Sequence, residues 1–264
     1  MPVVKVNDLS IYYELKGVGK PLIILHGLGN NSQSWKKQLE GLKSKFTVIA
    51  WDAPGYGHSS DPKEEYKDFS QFADVLDGFI EQLGYQSVNL LGHSMGSAIA
   101  INYCSRYPQK VNSLIIADAT RGAAGYSNEE NERKLRNRLN NIETLKPEEI
   151  AKLRVKELLA PNPDAEVKAE AERIMSQIRP MGYRSVAYSL FHLDNMNSLS
   201  SIKIPTLIIC GELDKATPVS ESQIFHEHLP NSQLVVIPKT GHLCYQEDPA
   251  TFNSSITEFL NNFE

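Results

Sequence analysis

The stretch Leu90–Pro108, LLGHSMGSAIAINYCSRYP, decides how the rest of the chain is read. An apolar run that begins at Val88 ends at Gly92, and helix-forming residues start at once with Met95. Between them, Gly92-His93-Ser94-Met95-Gly96 fits the pattern G-x-S-x-G. The pentapeptide alone is a weak signal, but a strand before it and a helix after it supply the context in which it carries chemistry. So sharp a turn leaves no room for bulky neighbours, hence a glycine two residues before the serine and another two after. The hydroxyl is then expected at the carboxyl end of a sheet, above the N-terminus of the following helix. The plainer alternative is a serine that caps that helix after a glycine turn.

On either side of this stretch, short apolar runs alternate with helical patterns. Strands are predicted at Val3–Val6, Ile11–Leu15, Leu22–Leu25, Phe46–Trp51, Val88–Leu91 and Leu114–Ala117, with helices at Phe69–Leu83 and Met95–Arg106. Several of the strands are unbroken apolar runs, as expected where both faces are covered. Strand, helix, strand in repetition predicts parallel strands joined by right-handed crossovers. The rhythm breaks near Arg121. From there to Ser200 no strand-like run occurs and charge rises, as in NEENERKLRNRLNN and DAEVKAEAERIMSQIR. Three or four helices are predicted there, punctuated by Pro147, Pro161, Pro163 and Pro180. The strand rhythm then resumes with Thr206–Cys210, helix Val219–His228, strand Leu234–Ile237 and a last helix Ala250–Phe263. The expected fold class is α/β, a mostly parallel central sheet flanked by helices. Residues 1–120 and 201–264 form its core, and 121–200 form a helical insertion.

Composition narrows the function classes. The 264 residues are 41% hydrophobic and 22% charged with a net charge of −5, and no basic stripe with interleaved aromatics speaks for nucleic acid. The segment MPVVKVNDLS has no basic start followed by a long apolar run, so no signal peptide is expected. No apolar stretch reaches membrane-spanning length. Cys104, Cys210 and Cys244 are odd in number and widely spaced, which suggests neither a disulfide framework nor a zinc site. A cytoplasmic protein without nucleic-acid or membrane partners is the expectation, and a homo-oligomer is compatible with it.

A serine is a poor nucleophile at neutral pH and needs a base that is itself held in place. Among seven histidines, His26 and His93 belong to the glycine turns, His226 and His228 to a charged helix, His58 to a loop and His192 to the insertion. His242 differs: in PKTGHLCYQEDP it follows the strand LVVI and reaches the same sheet edge as Ser94. The orienting acid is expected at the exit of the preceding strand, where TLIICGELD places Asp214. Asp118 and Glu212 also sit at strand exits and remain rivals, whereas Asp52 and Asp248 read as turn acids. The order Ser94, Asp214, His242 is the one this architecture requires. Acyl transfer also needs donors for the developing oxyanion. The N–H groups of Met95, after the serine, and Leu28, in the HGLGNNS loop after the strand PLIIL, are the candidates.

With these motifs in hand, the chain resembles the α/β-hydrolases of the lidded esterase and lactonase type. The likeness runs through ILHGLGNNSQSW, VIAWDAPGYGHSS, LLGHSMGSAIAINYCSRYP, IPTLIICGELDKATP and IPKTGHLCYQEDP. It implies a helical cap at 121–200, a triad of Ser94, Asp214 and His242, an oxyanion hole at Leu28 and Met95, a small ester or lactone as substrate, and no metal or organic cofactor. One departure is Ser97, where many relatives have a third glycine. Relatives that hydrolyse haloalkanes or epoxides use an aspartate nucleophile, and Ser94 argues against both. Trp35 and the insertion residues Met181, Tyr188, Phe191 and His192 are candidate substrate contacts. Carbon–carbon bond hydrolases and slow-turnover small-molecule receptors of the same family are alternative outcomes.

Overall fold

The computed structural model describes residues 2–262. The chain runs β1 Val3–Val6, β2 Leu9–Lys16, β3 Lys20–Leu25, α1 Lys36–Leu42, β4 Phe46–Trp51, α2 Phe69–Gln82, β5 Val88–His93, α3 Met95–Arg106 and β6 Val111–Ala117. Helices α4 Asn128–Thr144, α5 Pro147–Leu158, α6 Ala165–Met175, α7 Pro180–His192 and the short α8 Met196–Leu199 follow without a strand. Then come β7 Thr206–Gly211, α9 Val219–His228, β8 Ser232–Ile237, α10 Cys244–Glu247 and α11 Pro249–Asn261. The expected last helix therefore appears as α11, and its predicted end at Phe263 lies outside the described residues.

The eight strands form one sheet in the order β1-β2-β4-β3-β5-β6-β7-β8. Strands β3 to β8 pair in parallel, while β1 and β2 are an antiparallel hairpin that meets β4 antiparallel. The links β1–β2 and β2–β3 escape the strand–helix–strand rule, because the few residues in each leave no room for a crossover helix. Period-two side-chain direction splits each inner strand between two apolar layers. Ile23 and Leu25 pack with α2, α3 and α9 on one face, and Leu22 and Ile24 with α1 and α11 on the other. Helix α1, invisible to the sequence reading, supplies Leu39 and Leu42 to that second layer.

After β3 the chain moves outward to β4, then returns across β3 to place β5 on its other side, with Leu25 opposite Gly92. Crevices at the carboxyl ends of strands whose connections diverge in this way are where open α/β sheets bind ligands. Among the described residues, no helix is long and apolar enough to cross a membrane.

Candidate active site

Ser94 stands between β5 and α3 with φ 53° and ψ −115°, a conformation that non-glycine residues rarely hold. Its flanking glycines are forced by close approach: a Cβ on Gly92 would lie 2.2 Å from the Gly96 carbonyl oxygen, and one on Gly96 would lie 2.3 Å from that of Leu25. Ser94 occupies the N-cap position of α3, yet its side chain makes no capping hydrogen bond. The plain capping role therefore does not account for the hydroxyl. Ser97 Oγ–H donates to the Gly92 carbonyl (2.7 Å), so the residue that departs from the family pattern ties the two ends of the turn together.

His242 lies five residues beyond β8 and is buried. Its Nδ1 is 2.7 Å from Asp214 Oδ2, and the same oxygen accepts a 2.6 Å bond from the Thr217 hydroxyl. Asp214 Oδ1 accepts the backbone N–H groups of Ala216 (2.7 Å) and Thr217 (3.1 Å). Burial pushes the Asp214 carboxyl up, but the His242 charge and the bonds from His242 and Thr217 outweigh it and hold the pKa at about 2. The carboxylate is thus ionised at neutral pH and faces the Nδ1 side of the imidazole.

The rival acids are otherwise engaged. Asp118 Oδ1 accepts the Gly211 N–H (2.9 Å), and Oδ2 accepts the Cys244 thiol (3.1 Å). Burial, reinforced by the Asp214 charge, pushes the Asp118 carboxyl well above the usual range. Glu212 is exposed and accepts the Lys239 N–H (2.9 Å). Asp52 pins two loops by accepting the N–H groups of Ser32 and His58, each at 2.7 Å, and Asp248 caps α11 through Thr251.

Two further histidines brace the site. His26 Nε2 accepts the Ala53 N–H (3.0 Å), so the proton is on Nδ1, which donates to the Gly27 carbonyl (2.9 Å) and steadies the loop that carries Leu28. His93 Nε2–H donates to the His242 carbonyl (2.7 Å); burial and the His242 charge lower its pKa to about 3, so it stays neutral. His93, Asp118 and His242 each bring one metal-ligating atom within 4.8 Å of the others. The bonds just given make that trio a support for the His242 loop. The insertion contributes as well, because the Leu158 carbonyl accepts the His242 N–H (2.7 Å).

Ser94 and His242 share a 610 Å3 cavity whose roof is formed by α4, α5 and α7. Leu28 lines it, and Met95 lies directly behind Ser94 at the first turn of α3. Among the described residues, the backbone N–H groups of Leu28 and Met95 have no hydrogen-bond partner.

The expected substrate contacts need correction. Trp35 is fully buried, stacked on Tyr245 at 4.1 Å on the far side of the loop, and does not line the cavity. Met181, Tyr188, Phe191 and His192 fall on one stripe of α7 that faces away from it, with Lys67 Nζ over the Tyr188 ring and His192 exposed against Phe191. Leu190, on the opposite face of the helix, lines the cavity instead. Apolar periodicity located the helix but did not say which face looks inward. Sequence reasoning also missed Thr217, whose signal is the Asp-x-x-Thr spacing of a side-chain-capped turn. It missed Lys134, Arg138 and Arg154, hidden in helices that read as solvated, and Tyr126, in the link just before α4.

A strained serine turn at the carboxyl edge of a parallel sheet, lining one cavity with an Asp-paired histidine, is the arrangement of an α/β hydrolase. The chain belongs to the α/β-hydrolase fold family, whose profile matches residues 20–249. It is similar to the AB hydrolase superfamily protein YisY of Bacillus subtilis, with 29% identity over 262 residues covering 97% of each chain. It is similar as well to 3-oxoadipate enol-lactonase 2 of Acinetobacter baylyi, 27% identical over 97% of this chain and 95% of the relative. Among solved structures, a thermophilic esterase from Thermogutta terrifontis superposes with a TM-score of 0.91 at 26% identity, covering 99% of both chains.

Proposed function

We propose that the chain is a serine hydrolase that cleaves carboxylic esters or lactones of small, moderately apolar acids through an acyl-serine intermediate. The observation that carries this reading is the 2.7 Å His242–Asp214 pair on the wall of the cavity that Ser94 also lines. In this reading Ser94 Oγ attacks the carbonyl while His242 takes its proton through Nε2. Ionised Asp214 keeps the imidazole in the tautomer that carries Nδ1–H and stabilises the imidazolium that forms. The Leu28 and Met95 N–H groups receive the oxyanion, each contributing about 3 kcal/mol. The imidazolium returns its proton to the departing alkoxide. His242 then activates water, which releases the acid and restores the serine.

Residues 121–200 act as the cap in this account, bringing Leu153, Leu158 and Leu190 over the site. The likeness to an enol-lactonase and to an esterase supports ester or lactone chemistry.

The test is hydrolysis of p-nitrophenyl esters from acetate to laurate by the wild type and by Ser94→Ala. Steady turnover that the substitution abolishes is the expected result. One stoichiometric burst without turnover would favour a slow receptor-like protein, and equal activity in both would remove Ser94 from the role of nucleophile.

A further inference from the structure

The cavity above Ser94 carries an excess of positive charge inside an acidic protein. Its lining holds five cationic side chains, Lys134, Arg138, Arg154, Lys156 and Lys215, against one carboxylate, Glu157, while the whole chain has a net charge of −5. A cavity walled by low-dielectric protein concentrates such a field and favours anions at its mouth. Exposed Lys156 and Lys215 form its rim.

Further in, the cations differ in whether they are neutralised. Arg154 is paired with Glu157 at 2.7 Å, and Lys134 lies 3.9 Å from Glu130. Arg138 has no carboxylate within 4 Å among the described residues, and it makes no hydrogen bond there. The contrast with its own kind is sharp. The chain has nine arginines, and the other eight, Arg106, Arg121, Arg133, Arg136, Arg154, Arg173, Arg179 and Arg184, each have an acidic partner. The unpaired one is half-buried and faces the candidate nucleophile's cavity.

Its place on α4 is specific. Buried Asn131 and Ile142 mark the inward stripe of that helix, and Lys134 and Arg138 lie between them at helical spacing. A helix that only covers a core would put apolar residues at those positions. Burial, then the Arg154 charge, push the Arg138 guanidinium below its ordinary value, and burial, then the Arg138 charge, do the same for Lys134. An uncompensated charge held away from water is costly unless a ligand completes it.

We propose that the substrate is a monoester or lactone of a dicarboxylic acid, whose free carboxylate is bound by Arg138, with Lys134 and Arg154 beside it, while its ester carbonyl lies at Ser94. One unpaired guanidinium inside the cavity matches one monoanion, and its planar fork suits a carboxylate. Leu153, Leu158 and Leu190 line the same cavity and suit the methylenes between the two ends. This assignment rests on the ester or lactone hydrolase reading of the same site.

The experiment compares two substrates with the same six-carbon acyl chain, mono-p-nitrophenyl adipate and p-nitrophenyl hexanoate. In the wild type the adipate ester is expected to have the higher kcat/KM. Arg138→Gln should lower the adipate-to-hexanoate ratio by about tenfold to a hundredfold, the usual loss for a charge-assisted bond. Arg138→Lys should restore part of it. Rising salt should lower the ratio in the wild type, which requires no variant to fold. Calorimetry of free adipate with the Ser94→Ala protein reads the subsite without turnover, with binding expected and its loss expected on adding Arg138→Gln.

A wild-type ratio at or below one, or a ratio unmoved by salt and by Arg138→Gln, would overturn the subsite while hexanoate turnover left the hydrolase reading standing. If neither ester is turned over but adipate binds in an Arg138-dependent way, the hydrolase reading fails and the anion site stands. If adipate neither binds nor reacts, the subsite fails.

Discussion

Asp214→Asn tests the site where it is most exposed to error. Oδ1 of Asp214 accepts two backbone N–H groups, from Ala216 and Thr217. In the variant those donors hold the amide oxygen at the Oδ1 position, so the NH2 group must take the place of Oδ2 and point at His242 Nδ1. Two donors cannot face one another, so the imidazole must turn Nδ1 into an acceptor and carry its proton on Nε2. That is the wrong tautomer to accept a proton from Ser94. The loss of a correctly oriented base at such a pair is about 10^4-fold in kcat, or about 5 kcal/mol of transition-state stabilisation. The assay is kcat for a p-nitrophenyl ester near neutral pH, with thermal unfolding to show that the variant is folded. Asp118→Asn is the matched control, since Asp118 bonds Gly211 and Cys244 and is not a hydrogen-bond partner of the His242 ring. If Asp118→Asn loses activity by thousands-fold while Asp214→Asn keeps most of it, the acid has been misassigned and the tautomer argument falls with it.

Three further outcomes follow from the same geometry. Gly96→Ala must move the Leu25 carbonyl, 2.3 Å from the new methyl, and should cost about 1–3 kcal/mol. Calorimetry should register roughly a 2–4 °C fall in Tm per kcal/mol, and an unchanged Tm would contradict the packing. Ser94→Gly relieves the strain of a positive φ and should raise stability by about 1 kcal/mol while abolishing turnover; a lowered Tm would show that the turn is unstrained. The two buried acids should impose opposite pH dependences. Asp214, at about 2 against an ordinary 3.8, contributes stability that is present above the unfolded value and lost as pH falls toward 2. Asp118, raised above 3.8, contributes stability below that value that is lost as pH rises. Tm measured across pH should therefore show Asp118→Asn gaining on the wild type as pH rises above about 4. A constant difference between the two proteins would refute the raised Asp118 value.

The core was legible because its signals are local. An unbroken apolar run as short as PLIIL or TLIIC, bounded by glycine, reads as a strand covered on both faces, and the glycines around Ser94 report a backbone too close to its neighbours for a Cβ. The order of Ser94, Asp214 and His242 follows from which strands they leave. Helix α1 was not legible, since KKQLEGL is short and its three buried positions make too brief a pattern to separate from a loop.

By itself, the sequence determined the layered α/β core and the strand exits at which Ser94, Asp214 and His242 stand. Tertiary structure decided everything that depends on which way a helix is turned. It directed Leu190 inward and Met181, Tyr188, Phe191 and His192 away, and it buried Trp35 against Tyr245. It set the Leu158 carbonyl behind His242, and it faced Arg138 into the cavity without a carboxylate partner. A strand edge is fixed by its neighbours in the sheet, whereas the rotation of a cap helix is fixed by contacts between segments far apart in the chain, and those leave no periodic mark on either one.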